Sequence, residues 1–374
     1  VIKDRNKIER NLNLLQLAIA ERPQDANLQM NLGLELVRSG DLNAGIAHYR
    51  EAFRLMSALS PNEVVPELRE VLLTQFTSHL YKLRAHDEVV NALNSPLAKN
   101  GGLTASLHFA LGLAHYELNQ PREAAEQMKQ CVAKRNQPAL SPINTDILTA
   151  APNHCLALSL AKLNDAGGSE KAFQAGLKEG GRLDDLKTDY AKLLAATQRP
   201  VEALQILHEV VQANACHLNA WKLGGEIALS RPEFLEFALD WTGEAVRMLP
   251  DEATVTSQRG EALVLSQKTT EALEVWMNAC NHGRPARALA AAILCALVES
   301  QPQPRLASAA EESAVSRAFV DWYRKLVAAG AAQVVAKLNS HAEALRPTLP
   351  TAAKLLDAVL AEAQAEDPAE VAVC

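Results

Sequence analysis

The sequence predicts an all-α protein, a right-handed α-solenoid of antiparallel helix–turn–helix repeats that ends in an irregular helical cap. One observation is a Leu-Gly or similar small pair that returns about every 34 residues, followed each time by a second segment with alanine and an aromatic residue. Another is composition, since 48% of the residues are hydrophobic but only 4% are aromatic. Alanine and leucine must therefore form the core, as in stacked helices, and no clear strand pattern is present.

The clearest early repeat is built around Leu32-Gly33. In this repeat we expect two helices to cross, with one set of residues on the faces where they meet. These residues are Leu32, Gly33, Leu36, Gly45, Tyr49 and Ala52. Ser39-Gly40 ends the first of these helices, because glycine readily takes the left-handed conformation found at helix ends. Asp25 is placed to cap the same helix at its start.

A second clear repeat begins after Pro250, where Asp251 is expected to act as a cap in the same way. Its signature residues are Gly260, Leu263, Ala272, Trp276 and Ala279. The remaining units are marked by Leu111-Gly112 with Ala124, by Phe76, Leu80, Val89 and Leu93, by Leu156, Ala157, Leu160 and Phe173, by Tyr190, Ala191, Leu194, Ala203 and Leu207, and by Trp221, Gly224, Ile227, Ala238 and Ala245. The last unit needs about two extra residues in its turn, near Arg231-Pro232-Glu233.

The repeat region is expected to cover residues 1–282, with a half repeat as its first unit. Beyond Asn281 the repeat register fades, but stretches rich in alanine and leucine continue between prolines. We therefore expect a degenerate helical cap over 283–365, with helices at 287–299, 307–329, 331–345 and 351–365. The final stretch, 366–374, is small and acidic and is expected to be disordered.

Charge and cysteine content argue against several classes of function. The net charge of -7, with no basic stripe interleaved with aromatic residues, argues against nucleic acid as a partner. No run of about 18 apolar residues is present, so no membrane association is expected. The six cysteines lie far apart without paired spacing, which favours free thiols in a reducing compartment and hence a cytoplasmic protein.

The pattern over residues 7–282 resembles the tetratricopeptide repeat (TPR), and the start of the chain carries a narrower resemblance. A run of residues there resembles the one that opens the TPR region behind bacterial family-2 glycosyltransferase domains. Its matching residues are Lys7, Glu9-Arg10-Asn11-Leu12, Leu14-Leu15, Pro23, Asp25 and Asn31-Leu32-Gly33. The resemblance implies that nucleotide-sugar chemistry belongs to an upstream domain, and the half repeat after Val1 agrees with a fragment of a longer protein. The Asp-x-Asp metal motif of that chemistry has no counterpart here, so no cofactor, metal or catalytic residue is expected in this chain.

The TPR resemblance also implies a binding surface. In TPR proteins the first helix of each pair lines a concave groove through its second, fifth, ninth and twelfth or thirteenth positions. The corresponding residues are Asn27, Met30, Leu34 and Arg38, then Ser106, Phe109, Leu113, Tyr116 and Glu117, and later Thr188 and Lys192. Phe109 and Tyr116, seven residues apart, would form an aromatic platform for a protein or peptide. The alternative is that both aromatic rings contact a neighbouring repeat or an inserted loop.

The segment between Lys134 and Asn153 is longer than the usual turn between repeats. Long ordered loops on repetitive scaffolds often carry function. This loop either packs back on the helices through Leu140 and Ile143 or crosses the groove and shapes its ligand.

Candidate catalytic groups are better explained by packing and capping. His108 and His115 could form a metal site with Cys131, but they occupy positions that large core residues normally hold. His154-Cys155 are neighbours on a helix, and neighbours point about 100 degrees apart, too far to pair as base and nucleophile. Two acidic pairs are expected to be helix-start or solvated carboxylates without a companion charge: Asp184-Asp185 and Glu311-Glu312.

Three classes of function follow. We favour a non-catalytic scaffold that binds a protein or peptide in the groove, within a larger glycosyltransferase-linked protein. A structural or oligomerisation role is the alternative, supported by the alanine-rich C-terminal helices and by Trp322-Tyr323. An enzyme in its own right is the least favoured class.

Overall fold

The computed structural model describes residues 2–138, 144–181, 183–281, 283–354 and 356–358. These residues form α-helices and two short 3-10 helices with no β-strand among them, so the predicted all-α class is confirmed. The chain divides into two compact units, 1–193 and 194–374, and each holds a buried apolar cluster. Within the described residues, no helix is both long enough and apolar enough to cross a bilayer.

The first unit is a series of antiparallel helix pairs joined by short turns. Its helices are α1 (Ile2–Glu21), α2 (Ala26–Ser39), α3 (Leu42–Ser57), α4 (Pro66–Lys82), α5 (His86–Asn94), α6 (Pro96–Gly101), α7 (Ala105–Glu117), α8 (Pro121–Lys134), α9 (Ala151–Lys162), α10 (Ala166–Leu177) and α11 (Asp184–Ala196). The short helix α6 is not predicted by the repeat pattern. It begins after Ser95, whose hydroxyl accepts a hydrogen bond from the N–H of Ala98 at 3.2 Å.

The described residues of the second unit also form helices. Its helices are α12 (Pro200–Ala213), α13 (Leu218–Leu229), α14 (Leu235–Met248), α15 (Ala253–Leu265), α16 (Thr269–Cys280), α17 (Ala286–Val298), α18 (Ala309–Ala328), α19 (Ala332–Ser340) and α20 (Ala342–Leu345), with helical residues again at 350–354 and 356–358. A 3-10 helix at Pro232–Phe234 occupies the turn where extra residues were predicted.

Helix ends test the two predicted caps, and only one of them forms. Asp25 accepts hydrogen bonds from the backbone N–H groups of Asn27 and Leu28 at 3.0 and 3.2 Å, as predicted. Gly40 ends α2 with φ of 101°, a left-handed conformation that suits glycine. The predicted cap at Asp251 is wrong, because the residue at the cap position of α15 is Glu252 and no side chain bonds to that helix start.

Small residues lie where the paired helices cross closely, as the sequence predicts. A Cβ atom at Gly33 would lie 2.9 Å from the backbone oxygen of Gly45 and 3.0 Å from the ring of Tyr49. A Cβ atom at Gly260 would lie 2.6 Å from the ring of Trp276. At both crossings glycine is therefore needed for the large ring of the second helix to fit against the first.

Two expectations about residues of the C-terminal helices are wrong: that Trp322-Tyr323 support oligomerisation, and that Glu311 has no companion charge. Trp322 and Tyr323 are core residues, 2% and 3% exposed, so they offer no surface to another subunit. Trp322 is also hydrogen-bonded, since its indole N–H donates to the carbonyl of Arg287 at 3.1 Å.

Glu311 does have a companion charge, because Arg284 Nε lies 3.1 Å from its Oε1. The N–H of Ala307 and this guanidinium hold the pKa of Glu311 below its usual value.

Several predicted features lie outside the described residues. Leu140 and Ile143 of the inserted loop fall within 139–143, which the structure does not describe. The same holds for residues 359–374, which include the end of the predicted helix 351–365 and the tail 366–374. The rest of the inserted segment contains a 3-10 helix at Thr145–Leu148, and Asn144 bonds to its first turn through the N–H of Asp146 at 3.0 Å.

Candidate functional site

The candidate site is a groove between α4 and α7, the first helices of two neighbouring repeats in the first unit. Its cavity has a volume of about 290 Å³. The residues that line it are Thr74, Thr77, Ser78, Tyr81, Lys82, Ser106, Leu107, Phe109, Ala110, Leu113 and Asn144. We call this cavity the α4–α7 groove. Its floor is apolar and its rim carries hydroxyl groups, one amide and one ammonium group.

Three of the predicted groove residues meet in this cavity. Ser106, Phe109 and Leu113 of α7 all line it, which is the face that their spacing along a helix predicts. Phe109 is 8% exposed, so its ring is mostly buried beneath the groove floor. Asn144 reaches the same cavity from the inserted segment, so part of that segment borders the groove.

Tyr116 and Glu117 continue along α7 but do not line the cavity. The ammonium group of Lys162 lies 4.0 Å from the centre of the Tyr116 ring, a cation–π contact that covers the ring. For Tyr116, contact with a neighbouring repeat is therefore what the structure shows. Glu117 is exposed and accepts a hydrogen bond from the hydroxyl of Tyr81 at 3.3 Å.

The remaining predicted groove residues are spread over other helices. The prediction that Met30 lies on the groove surface is wrong, because Met30 is 4% exposed and belongs to the same apolar cluster as Ile46 and Leu72. The other residues of its unit are half-buried or exposed: Asn27, Leu34 and Arg38. Arg38 pairs with Glu35 at 2.8 Å, and Asn27 accepts a hydrogen bond from the side chain of Asn31 at 3.3 Å.

In the last predicted unit, Thr188 and Lys192 of α11 differ in their exposure to solvent. Thr188 is buried, and its hydroxyl donates to the carbonyl of Asp184 at 2.8 Å, one turn earlier in α11. A threonine that bonds back to its own helix has no hydroxyl proton left for a ligand. Lys192 is exposed on the same helix.

Sequence reasoning missed the α4 side of the groove. The residues concerned are Thr74, Ser78, Tyr81 and Lys82. The spacing rule used for α7 selects these four positions if Thr77 is aligned with Gly33 and Gly112. The repeat there is degenerate, because threonine replaces the glycine that marks the clearest units, so the register of α4 is not evident from the sequence.

The polar groups of the groove differ in whether they already have partners. The hydroxyl of Thr77 donates to the carbonyl of Leu73 at 2.7 Å, whereas the buried hydroxyl oxygen of Thr74 has no partner among the described residues. Burial and the nearby Glu117 raise the pKa of Tyr81 to about 12, so its phenol stays protonated and remains a donor at neutral pH.

The two histidines that were candidates for a metal site are buried and form hydrogen bonds with glutamine side chains. His108 and His115 are buried, and their Nδ1 atoms lie 2.8 Å from Gln127 Oε1 and 2.6 Å from Gln120 Oε1. The described residues contain no group of three or more histidine, cysteine, aspartate or glutamate side chains that could hold a metal ion.

The side chains of His154 and Cys155 lie in different surroundings, although the two residues are adjacent in sequence. His154 Nε2 lies 2.8 Å from Asp189 Oδ2. Burial raises the pKa of the Cys155 thiol to about 12, so a thiolate nucleophile is not populated near neutral pH.

Comparison with known proteins identifies the fold. No protein-family model and no curated protein matches the chain. Among solved structures, the C-terminal part of a TPR repeat-containing protein from Cytophaga hutchinsonii is similar over 71% of this chain and 99% of that chain, with 12% identity and a TM-score of 0.52. A tetratricopeptide repeat protein from Parabacteroides merdae covers 69% and 93% of the two chains, with 13% identity and a TM-score of 0.48.

A third similar structure is YrrB, described as a TPR protein with an unusual peptide-binding site. It covers 64% of this chain and 95% of its own, with 17% identity and a TM-score of 0.34. The Cytophaga structure shows that this chain has a TPR fold, and the two lower TM-scores add nothing to that conclusion. The resemblance to TPR proteins is therefore confirmed at the level of fold.

Proposed function

We propose that this chain is a non-catalytic scaffold that binds an extended segment of a partner protein in the α4–α7 groove. The observation that carries the proposal is the convergence of Ser106, Phe109 and Leu113 with residues of α4 around one cavity. The same three residues occupy groove positions that the TPR resemblance implies for this helix.

The chemistry of the lining suits a peptide better than a cofactor. A volume of about 290 Å³ holds one or two side chains, and the floor residues Leu107, Phe109 and Leu113 offer an apolar contact for one of them. Burial of such an anchor side chain supplies much of the binding energy in protein interfaces. The rim residues Ser78 and Ser106 can bond to the main-chain polar groups of an extended segment, which would otherwise lose their water contacts.

The finer parts of the proposal rest on the sequence resemblance. Residues 7–33 support a place behind a glycosyltransferase domain in a larger bacterial, cytoplasmic protein, in which the sugar-transfer chemistry lies upstream of Val1. A peptide groove in this chain would then recruit a protein to that domain. Sequencing the gene upstream of the codon for Val1 tests the linkage, which is contradicted if no glycosyltransferase domain is encoded there.

The groove is tested with peptides selected on the purified chain from a phage-displayed library of random peptides. We expect selected peptides, labelled with a fluorophore, to bind with an increase in anisotropy. Ser78→Trp fills the groove from an exposed position on α4 and should abolish binding, whereas Ser57→Trp, at an exposed position at the end of α3 outside the groove, should not change it.

A second pair of variants tests the anchor residue. Phe109→Ala should weaken binding by about 2 kcal/mol or more, because the ring forms the groove floor. Tyr116→Ala should cost much less, since that ring already lies beneath Lys162 and outside the cavity. Circular dichroism of each variant controls for loss of fold. Equal binding by the wild type and Ser78→Trp would contradict the proposal.

A further inference from the structure

The outer face of α1 carries the two most exposed large apolar side chains among the described residues. Leu14 is 59% exposed and Leu17 is 66% exposed. They lie three positions apart on one helix, so the two side chains are neighbours on the same face. Single exposed leucines are common on protein surfaces, whereas adjacent ones form a continuous apolar patch of the kind found at contact sites.

This patch lies away from the face that joins α1 to the rest of the first unit. α1 packs chiefly against α2, whereas α3, the next second helix of a repeat, packs against both α2 and α4. The half-buried apolar side chains on the opposite side of α1 from the patch are Ile8, Leu12, Leu15 and Ile19. Packing within the described residues therefore does not account for the two exposed leucines.

One charged residue lies on the same stripe of α1 at each end of the patch. Arg10 precedes Leu14 by four positions, Glu21 follows Leu17 by four positions, and both charged residues are exposed. The adjacent Arg22 does not neutralise Glu21, because it pairs with Asp25 at 3.4 Å. The order along the stripe is therefore cation, leucine, leucine, anion.

This order makes the stripe complementary to a second copy of itself in the antiparallel direction. The midpoint between Arg10 and Glu21 coincides with the midpoint between Leu14 and Leu17, between positions 15 and 16. When two such helices cross antiparallel about that point, leucine faces leucine and each arginine faces the glutamate of the other copy. Each contact then occurs twice, as a two-fold symmetric interface requires. A parallel arrangement would instead place like charges opposite each other.

We propose that the outer face of α1 binds a second copy of this chain and forms an antiparallel, two-fold symmetric dimer. Leu14 and Leu17 of both copies form the centre of the interface, and two Arg10–Glu21 ion pairs flank it. Because such an interface is small, the dimer forms reversibly at high protein concentration and weakens with salt, which screens exposed ion pairs. None of the residues that line the α4–α7 groove belongs to α1, so the inference is independent of the peptide proposed there.

The test is sedimentation equilibrium of the full chain over a series of concentrations, at low and at high salt. We expect a monomer–dimer equilibrium whose dissociation constant rises at high salt. Leu14→Glu should raise the dissociation constant at least tenfold, because it would bury two unpaired charges among leucines. Leu59→Glu changes another exposed leucine, beyond the end of α3, and is the matched control that should not alter it. Circular dichroism of each variant controls for loss of fold.

Charge reversal tests whether the two ends of the stripe face each other across the copies. Arg10→Glu and Glu21→Arg should each weaken dimerisation about tenfold at low salt, because each replaces two attractive contacts by two repulsive ones. The double variant should dimerise like the wild type. An equimolar mixture of the two single variants should also dimerise like the wild type, because opposite charges face each other again in the mixed dimer.

Three results would overturn the proposal. The first is a chain that stays monomeric at every concentration, as expected if α1 binds only a different protein. The second is a Leu14→Glu variant that dimerises as tightly as the wild type. The third is a double variant and a mixture that both fail to recover association, as expected if α1 contacts another surface of the second copy.

Discussion

At the scale of single residues, the glycines at helix crossings differ in what a side chain would meet. At Gly33 the nearest obstacle is the backbone oxygen of Gly45, which cannot move without the helix. At Gly112 the nearest obstacle is the terminal methyl of Met128 at 2.8 Å, the flexible end of a side chain. The two crossings look alike in the sequence, but they tolerate change differently.

We therefore expect Gly33→Ala to lower the free energy of unfolding by about 1–3 kcal/mol through overpacking. Gly112→Ala should be close to neutral, because Met128 can move aside and alanine is favoured over glycine in a helix by roughly 0.5–1 kcal/mol. Urea unfolding of the two variants, followed by circular dichroism, measures the difference. Equal losses at both positions would show that the backbone contact at Gly33 is not the limiting one.

A second residue-scale prediction concerns pH. Lys134 Nζ lies 3.1 Å from His108 Nε2, and an ammonium group can only donate, so Nε2 is an unprotonated acceptor. Burial, with a further contribution from Lys134, lowers the pKa of His108 below 6.5. The folded state thus binds fewer protons than the unfolded state near that pH, and stability is lost as pH falls below about 6.5.

The urea midpoint of the wild type should accordingly be lower at pH 5.5 than at pH 7.5. His108→Asn should reduce the difference between the urea midpoints at the two pH values. Part of the difference should remain, because burial also lowers the pKa of His79. His208→Asn at an exposed position is the matched control and should leave the difference unchanged. A difference that His108→Asn does not alter would contradict the assignment.

At the scale of helices, caps distinguish two starts that look the same in sequence. Asp25 and Asp251 each precede a helix by a short distance, but only Asp25 bonds to the helix start. Asp25→Ala should cost about 1 kcal/mol of stability, as loss of a capping aspartate usually does, and Asp251→Ala should cost close to none. Thermal melting of both variants tests this, and an equal change in the two melting temperatures would contradict it.

The particular failures show what sequence can and cannot predict at this scale. Helix positions, breaks and close crossings depend on local spacing, and Gly40, Gly33 and Gly260 behave as their pattern predicts. Whether a position on the groove face stays open depends on which side chain a neighbouring repeat contributes. Lys162 covers Tyr116, while Phe109 remains in contact with a cavity, and the spacing of the two aromatics contains no information about that difference.

At the scale of the whole molecule, the division into a repeat region, 1–282, and a cap, 283–365, stays a prediction. One apolar cluster of the second unit contains residues on both sides of position 282, including Trp276, Leu294 and Phe319. Truncation after residue 281 should expose this cluster and make α15 and α16 sensitive to proteolysis. A truncated chain in which both helices resist protease as in the full chain would instead support an independent repeat region.

The central claim, that the α4–α7 groove holds a partner segment, is tested most directly by photo-crosslinking. p-Benzoylphenylalanine is placed at Lys82, an exposed residue of the groove rim, or at Lys99, an exposed residue of α6 that does not line it. With a peptide selected on the wild-type chain, we expect a crosslink from position 82 and none from position 99, and Ser78→Trp should remove it. Crosslinking from position 99 as strong as from position 82, or a crosslink at position 82 that survives Ser78→Trp, would contradict the account.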